Sequence, residues 1–202
     1  MRKRLIGPCL KEQGLHRYVL FNIFISILSQ LTFSFLFSPG GNLSVSDFVR
    51  IMFPQPADKV NYNYPEDSLL QAYGVVQVEE IRNPQHVDVH DKKCLLVVKN
   101  GLNTGTTVGH TNGLESFTCM YDEYGISHTS IEFAVLPYNK IHGKFSDPED
   151  SGFIVFTRDG HIVGILTSGT VSTDITYLTP YFWVEKQIKA KFPGCFLYDF
   201  VQ

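Results

Sequence analysis

From Lys93 to Thr179 the chain is a succession of short β-branched and aromatic runs cut by Gly, Asn and Asp turns. Runs of this length are too short for helices and carry the punctuation of an all-β sandwich or barrel. The sharpest break is Arg158-Asp159-Gly160, set between Ile154-Val155-Phe156-Thr157 and His161-Ile162-Val163. Asp-Gly supplies the positive-φ positions of a tight hairpin, so the two flanking runs are predicted to pair antiparallel. The runs at 94–99, 106–117, 129–136, 152–157, 161–167 and 175–179 predict six strands. After Pro180, the apolar residues Phe182, Val184, Ile188 and Phe192 recur near the helical period, Lys186, Lys189 and Lys191 fall late, and Pro193-Gly194 stops the pattern. This predicts a C-terminal α-helix over 181–192, with Trp183, Tyr181 and Phe182 as its anchor on the core.

The rest of the chain reads differently. Residues 1–40 place Arg2, Lys3, Arg4, Lys11 and Arg17 ahead of 18–37, a run without charge that is diluted by Asn22, Ser26, Ser29, Gln30, Thr32 and Ser34. The run is long enough to cross a bilayer, and the basic flank would keep the amino terminus inside. Two readings stay open: a transmembrane anchor, making the protein membrane-associated, or a segment outside the fold. No small-x-small site after Phe37 supports a cleavable signal. Residues 41–91 read as a connector, with a short helix over 44–52 and a loop over 54–65 imposed by Pro54 and Pro56. The stretch 69–81 fits either a strand or a helix-to-strand transition. Residues 92–202 are the folded unit.

Composition removes several function classes. Seventeen Lys and Arg against 20 Asp and Glu give a net charge of −3, so no basic surplus exists to neutralise a phosphate backbone and no nucleic-acid partner is expected. Cys9, Cys94, Cys119 and Cys195 form no Cys-x-x-Cys pair, which removes a zinc ribbon and a disulfide framework and suits a cytoplasmic body. His86 and His90 have the spacing of a helical metal pair, but Pro84 and the Val87/Val89 alternation favour extended chain, so solvated loop histidines are expected and no metal. Residues 101–109 are Gly-rich without a Gly-Lys-Ser/Thr ending, which makes them a turn and not a phosphate cradle.

The informative stretch is Phe145-Ser146-Asp147-Pro148-Glu149-Asp150-Ser151-Gly152-Phe153, followed by the hairpin and then Thr167-Ser168-Gly169-Thr170. Together with the upstream Val97-Val98-Lys99-Asn100-Gly101 and Thr104 to Gly109 hairpin and the terminal helix, this order resembles the second barrel of the trypsin-like (chymotrypsin-fold) serine peptidases. The resemblance covers roughly 93–202. It implies an antiparallel six-stranded barrel with a C-terminal helix, Ser151 as nucleophile, and the backbone N–H groups of Glu149, Asp150 and Ser151 facing the oxyanion. It also implies a polypeptide substrate laid along Thr167, Ser168 and Gly169. No cofactor and no obligate protein partner are implied.

Two departures bear on activity. A serine hydroxyl needs a histidine base oriented by a carboxylate, which that family draws from its first barrel. Ahead of Gly41 the only histidine is His16, and no acidic residue lies between Glu12 and Asp47. Glu149 also stands where the family has glycine, and its Cβ would oppose left-handed backbone. The expectation is therefore a truncated, catalytically impaired peptidase; the alternative is a non-catalytic peptide-binding or membrane-anchored interaction module.

Overall fold

The computed structural model describes residues 35–36, 43–60, 62–66, 69–70, 72, 74–123, 125–170 and 173–194. Seven strands form the main sheet: β3 (Leu95–Gly101), β4 (Gly105–Thr111), β5 (Glu115–Asp122), β6 (Gly125–Pro137), β7 (Ile154–Thr157), β8 (Ile162–Gly169) and β9 (Thr176–Pro180). Six of them close into a ring, β3–β4–β6–β9–β8–β7 and back to β3, with every pairing antiparallel. Helix α4 (Tyr181–Lys191) follows β9 directly. The all-β class, the six-stranded antiparallel barrel and the C-terminal helix are thus as expected.

The barrel wall is buried on both sides. Leu95, Val97, Phe133, Val135, Val155, Val163, Leu166 and Leu178 make one cluster with Phe145. The alternate residues Leu96, Val98, Ile154, Phe156, Ile162 and Ile165 belong to a second cluster, shared with helix α1 (Val45–Met52) and α4. Ser44 caps α1, its Oγ accepting the Asp47 N–H at 3.1 Å, and the i, i+3, i+4 residues Phe48, Ile51 and Met52 are its buried face. Burying such a side chain contributes about 1.5–3 kcal/mol, so this short helix is held by tertiary packing. Past its end, Phe53 stacks on Tyr62 at 3.9 Å between ring centroids. Arg158, at the tip of the β7–β8 hairpin, reaches back over the Phe53 ring and bonds Asp58 at 2.6 Å. Gly160 at the same tip has φ 85°, but Asp159 has no positive φ, so the hairpin forms as expected with the glycine alone supplying that conformation.

Several local expectations are corrected. The run 106–117 is not one strand: Gly113 adopts φ 81° and Asn112 Oδ1 accepts the Leu114 N–H, turning the chain between β4 and β5. The sheet therefore has a seventh strand, β5, which pairs with β6 outside the ring. The expected loop 54–65 contains a helical turn, α2 (Pro56–Val60), with proline at its first position, where a missing N–H is harmless. The open stretch 69–81 resolves into β2 (Leu69–Leu70) and the start of α3 (Val78–Arg82). On α4 the inward stripe is Tyr181, Val184 and Ile188; Trp183 lies off it and is 38% exposed, and Phe192 is 58% exposed. His86 is half-buried, with Nδ1 unpartnered among the described residues, and is not a solvated loop residue. Of the expected anchor 18–37, only Phe35–Leu36 is described, as β1, antiparallel to β2; the remainder lies outside the described residues. Among the described residues no helix is long and apolar enough to cross a membrane.

Candidate active site

Ser151 stands at the barrel rim, exposed, between two anchored neighbours. Before it, Pro148–Asp150 forms one 3-10 turn; after it, Gly152 takes φ 92°, a conformation that side chains oppose. The Gly152 N–H donates to Leu166 O at 2.7 Å and the Leu166 N–H to Phe153 O at 2.9 Å, which ties the loop to β8. Leu166 immediately precedes Thr167, Ser168 and Gly169, so the expected nucleophile and the expected substrate strand meet at one rim. Ser168 and Gly169 are exposed and Thr167 is half-buried.

The Asp150 side chain points the other way, into the barrel wall, with no exposure. Its Oδ1 accepts the Asn103 N–H at 3.0 Å. Its Oδ2 accepts the Thr104 hydroxyl at 2.5 Å and the Asp147 N–H at 3.2 Å, and lies 3.0 Å from the equally buried Lys99 Nζ. Lys99 also donates to Thr104 Oγ1 at 2.5 Å and Gly105 O at 3.4 Å, with the Phe145 ring 5.7 Å away. Burial pushes the Asp150 carboxyl up, but the Thr104 hydroxyl, Lys99 and the Asn103 N–H outweigh it and hold the pKa below the ordinary aspartate value. For Lys99, burial prevails over the attraction of Asp150 and the pKa is lowered. Gly101 leaves room for this pair, because a Cβ there would lie 2.2 Å from Asp150 Oδ1 and would force it to shift.

Two of the three N–H groups assigned to the oxyanion, those of Asp150 and Ser151, are engaged within the turn. Asp150 N–H donates to Asp147 O at 2.9 Å, and Ser151 N–H to Pro148 O at 3.4 Å. Glu149 is exposed and has no positive φ, so the anticipated left-handed strain at Glu149 is absent. Among the described residues no histidine hydrogen-bonds to Ser151. Nor is Cys94 a rival nucleophile: it is buried, and burial pushes its thiol up to about 11.

Sequence reasoning missed two residues here. Lys99 closes the buried, otherwise apolar run of β3, and a lysine continuing Leu95-Leu96-Val97-Val98 was the available signal, since buried lysines are paired. Glu132, on β6, is 5% exposed; Ser130 Oγ donates to its Oε1 at 2.8 Å while Oε2 is buried without a hydrogen-bond partner among the described residues. Burial raises its pKa, against the Ser130, Thr179 and Thr167 hydroxyls that face it. A cavity of about 170 Å³ lined by Arg50, Asp88, His90, His110, Tyr138 and Asn139 shares no residue with the Ser151 loop.

No protein-family model matches the chain, and no curated protein matches it. Solved structures do. The active form of the Rv3671c protease from M. tuberculosis is similar at 14% identity and TM-score 0.39, over 67% of this chain and 52% of that one. An inactive form of the same protein, a serine-to-alanine mutant, gives 13% identity and 0.37, over 57% and 56%. Cellulomonas bogoriensis chymotrypsin gives 16% and 0.36, over 61% and 52%. The chain spans about half the length of each. The fold assignment itself rests on strand order and register, which stand without these superpositions.

Proposed function

We propose that this chain is the nucleophile-bearing barrel of a trypsin-like serine peptidase, with Ser151 attacking the carbonyl of a polypeptide laid along Thr167, Ser168 and Gly169. The observation that carries the reading is the placement of Ser151: exposed at the rim, directly between a fully buried aspartate and a positive-φ glycine bonded to β8. Serine is activated by a histidine base with an orienting carboxylate, and on this reading both come from outside the described residues. Turnover is expected to be poor while the Asp150 and Ser151 N–H groups stay engaged in the turn, because an oxyanion needs donors aimed at it.

The test is covalent labelling of the full chain with a fluorophosphonate probe, followed by peptide mapping. The expected result is a slow adduct on Ser151 that is absent from Ser151→Ala and from heat-denatured protein. An adduct spread over several serines, or none on Ser151, would sink the proposal.

A further inference from the structure

We propose that the outer edge of β5 is a docking site for an extended polypeptide strand bearing Lys or Arg, which joins the sheet as its next strand. β5 is the last strand of the sheet and pairs only with β6, in unbroken one-to-one register from Glu115 to Met120. Among the described residues no other strand bonds to it, so along its far side alternate N–H and C=O groups have no ladder partner. Proteins blunt such an edge with lysine, proline, a bulge or a covering element. β5 has neither lysine nor proline over 115–122, and the register shift near its end places the extra residue on β6.

The side chains beside this edge are apolar. Phe117 is 77% exposed and Tyr121 71%, and Ile131, opposite Phe117 on β6, is exposed with them. By the two-residue period of a strand, the face that holds Phe133 in the barrel core continues through Ile131 and Phe117 to Tyr121. The core face of the sheet therefore runs out past the ring into solvent. Isolated surface hydrophobes are ordinary, but an aromatic stripe along an unpaired edge is the form of a strand-addition site. The backbone of β5 supplies the ladder, and Phe117 and Tyr121 receive alternate side chains of the guest.

Charge selects that guest. From Asn100 to Asn139 the sequence has no Lys or Arg against four acids, Glu115, Asp122, Glu123 and Glu132. Arg82, on α3, bonds Glu115 at 2.6 Å, which leaves the acidic tip Asp122-Glu123 to meet the guest. A second copy docked edge to edge would set this acidic hairpin against itself, whereas Lys or Arg flanking an apolar strand meets opposite charge. The edge works independently of Ser151, because no residue of β5 belongs to that loop or to Thr167, Ser168 and Gly169.

The experiment uses the full chain and three labelled peptides: Lys-Lys-Val-Thr-Ile-Thr-Val-Lys-Lys, the same core flanked by Glu, and the lysine peptide with Pro in place of its central Ile. Affinity is read by fluorescence anisotropy and location by amide hydrogen exchange. The lysine peptide is expected to bind saturably and to protect amides of 115–121, leaving Leu96 and Val97 in the barrel wall unchanged. The glutamate peptide is expected to bind about tenfold more weakly, the size of two or three exposed ion pairs, with the gap closing at high salt. The proline peptide, which breaks the ladder, is expected to lose about tenfold or more. Phe117→Lys/Tyr121→Lys, which gives the edge the lysines it lacks, is expected to cost the lysine peptide a similar factor. Val60→Lys, at an exposed position on α2, is expected to leave binding unchanged.

Equal binding of the lysine and glutamate peptides, or protection that falls outside 115–121, would overturn the proposal. So would protection of 115–121 without any peptide. If that protection grows with protein concentration, a second copy holds the edge; if it does not, another segment of this chain does. Should the double variant fail to fold, the three peptides on the wild-type chain decide the matter alone.

Discussion

Asp150 and Glu132 are both carboxyl groups taken out of water by the same barrel, and the barrel treats them in opposite ways. Asp150 has no exposure and four donors, one of them a buried ammonium. Glu132 is 5% exposed and has one hydroxyl donor on Oε1 and nothing at hydrogen-bond geometry on Oε2 among the described residues. The first is held below the ordinary pKa of its type and the second is pushed above it. A buried carboxylate is tolerable when charge and hydrogen bonds compensate it, and otherwise the neutral acid is favoured. The barrel therefore places its one described fully buried ion pair beside Ser151 and leaves Glu132, which faces Thr167 and Thr179, to hydroxyl groups.

The largest expected effect breaks the compensated side. Lys99→Met should destabilise the chain by about 3–5 kcal/mol, the usual cost of orphaning one member of a buried pair. Thermal or urea unfolding measures it. A loss below about 1 kcal/mol, the range of a surface ion pair, would mean that Asp150 finds water without difficulty and would erase the contrast with Glu132.

Next is Gly101→Ala. A Cβ there would sit 2.2 Å from Asp150 Oδ1 and 2.7 Å from Lys99 Nζ. Both are side-chain atoms of a buried, mutually bonded pair that would have to shift, so overpacking of about 1–3 kcal/mol is expected. Chemical denaturation with an unchanged m-value would confirm a native-state effect. The same substitution at Gly143, where a Cβ meets nothing within 4 Å, is the control for space, although its φ of 74° adds strain of its own.

How much of this was written legibly in the chain follows from distance along it. The Arg158-Asp159-Gly160 hairpin, the α4 start at Pro180 and the Asp150-Ser151-Gly152 turn are local features, and a local pattern announces them. The Lys99–Asp150 pair joins residues 51 positions apart in sequence, brought together by the β3–β7 pairing of Val97 with Thr157 and Val98 with Phe156. No local period encodes that register. The break at Gly113 carried a local signal, Asn112-Gly113, that a continuous reading of 106–117 passed over; Leu114 and Phe117 beyond it are exposed. Trp183 was misplaced because a single aromatic does not reveal which face of a helix points inward; the phase is set by Tyr181 and Val184 packing on the barrel wall.

The smallest expected effects sharpen the comparison through pH. Asp150 has its pKa lowered on folding, so its contribution is present above the unfolded value and is lost as pH falls through the folded one. Glu132 has its pKa raised, so its contribution is present below the unfolded value near 4.5 and is lost as pH rises through the folded one. The two slopes have opposite signs. Asp150→Asn should flatten the acid side of the stability profile. Glu132→Gln should flatten the side above 4.5, leaving stability within about 1 kcal/mol of wild type in acid and raising it toward neutral pH, because the amide carries no charge to bury. Unfolding midpoints measured from pH 3 to pH 8 on the three proteins decide it. If Glu132→Gln lost stability at neutral pH, the carboxylate at 132 would be compensated as fully as the one at 150, and the distinction between the two acids would vanish.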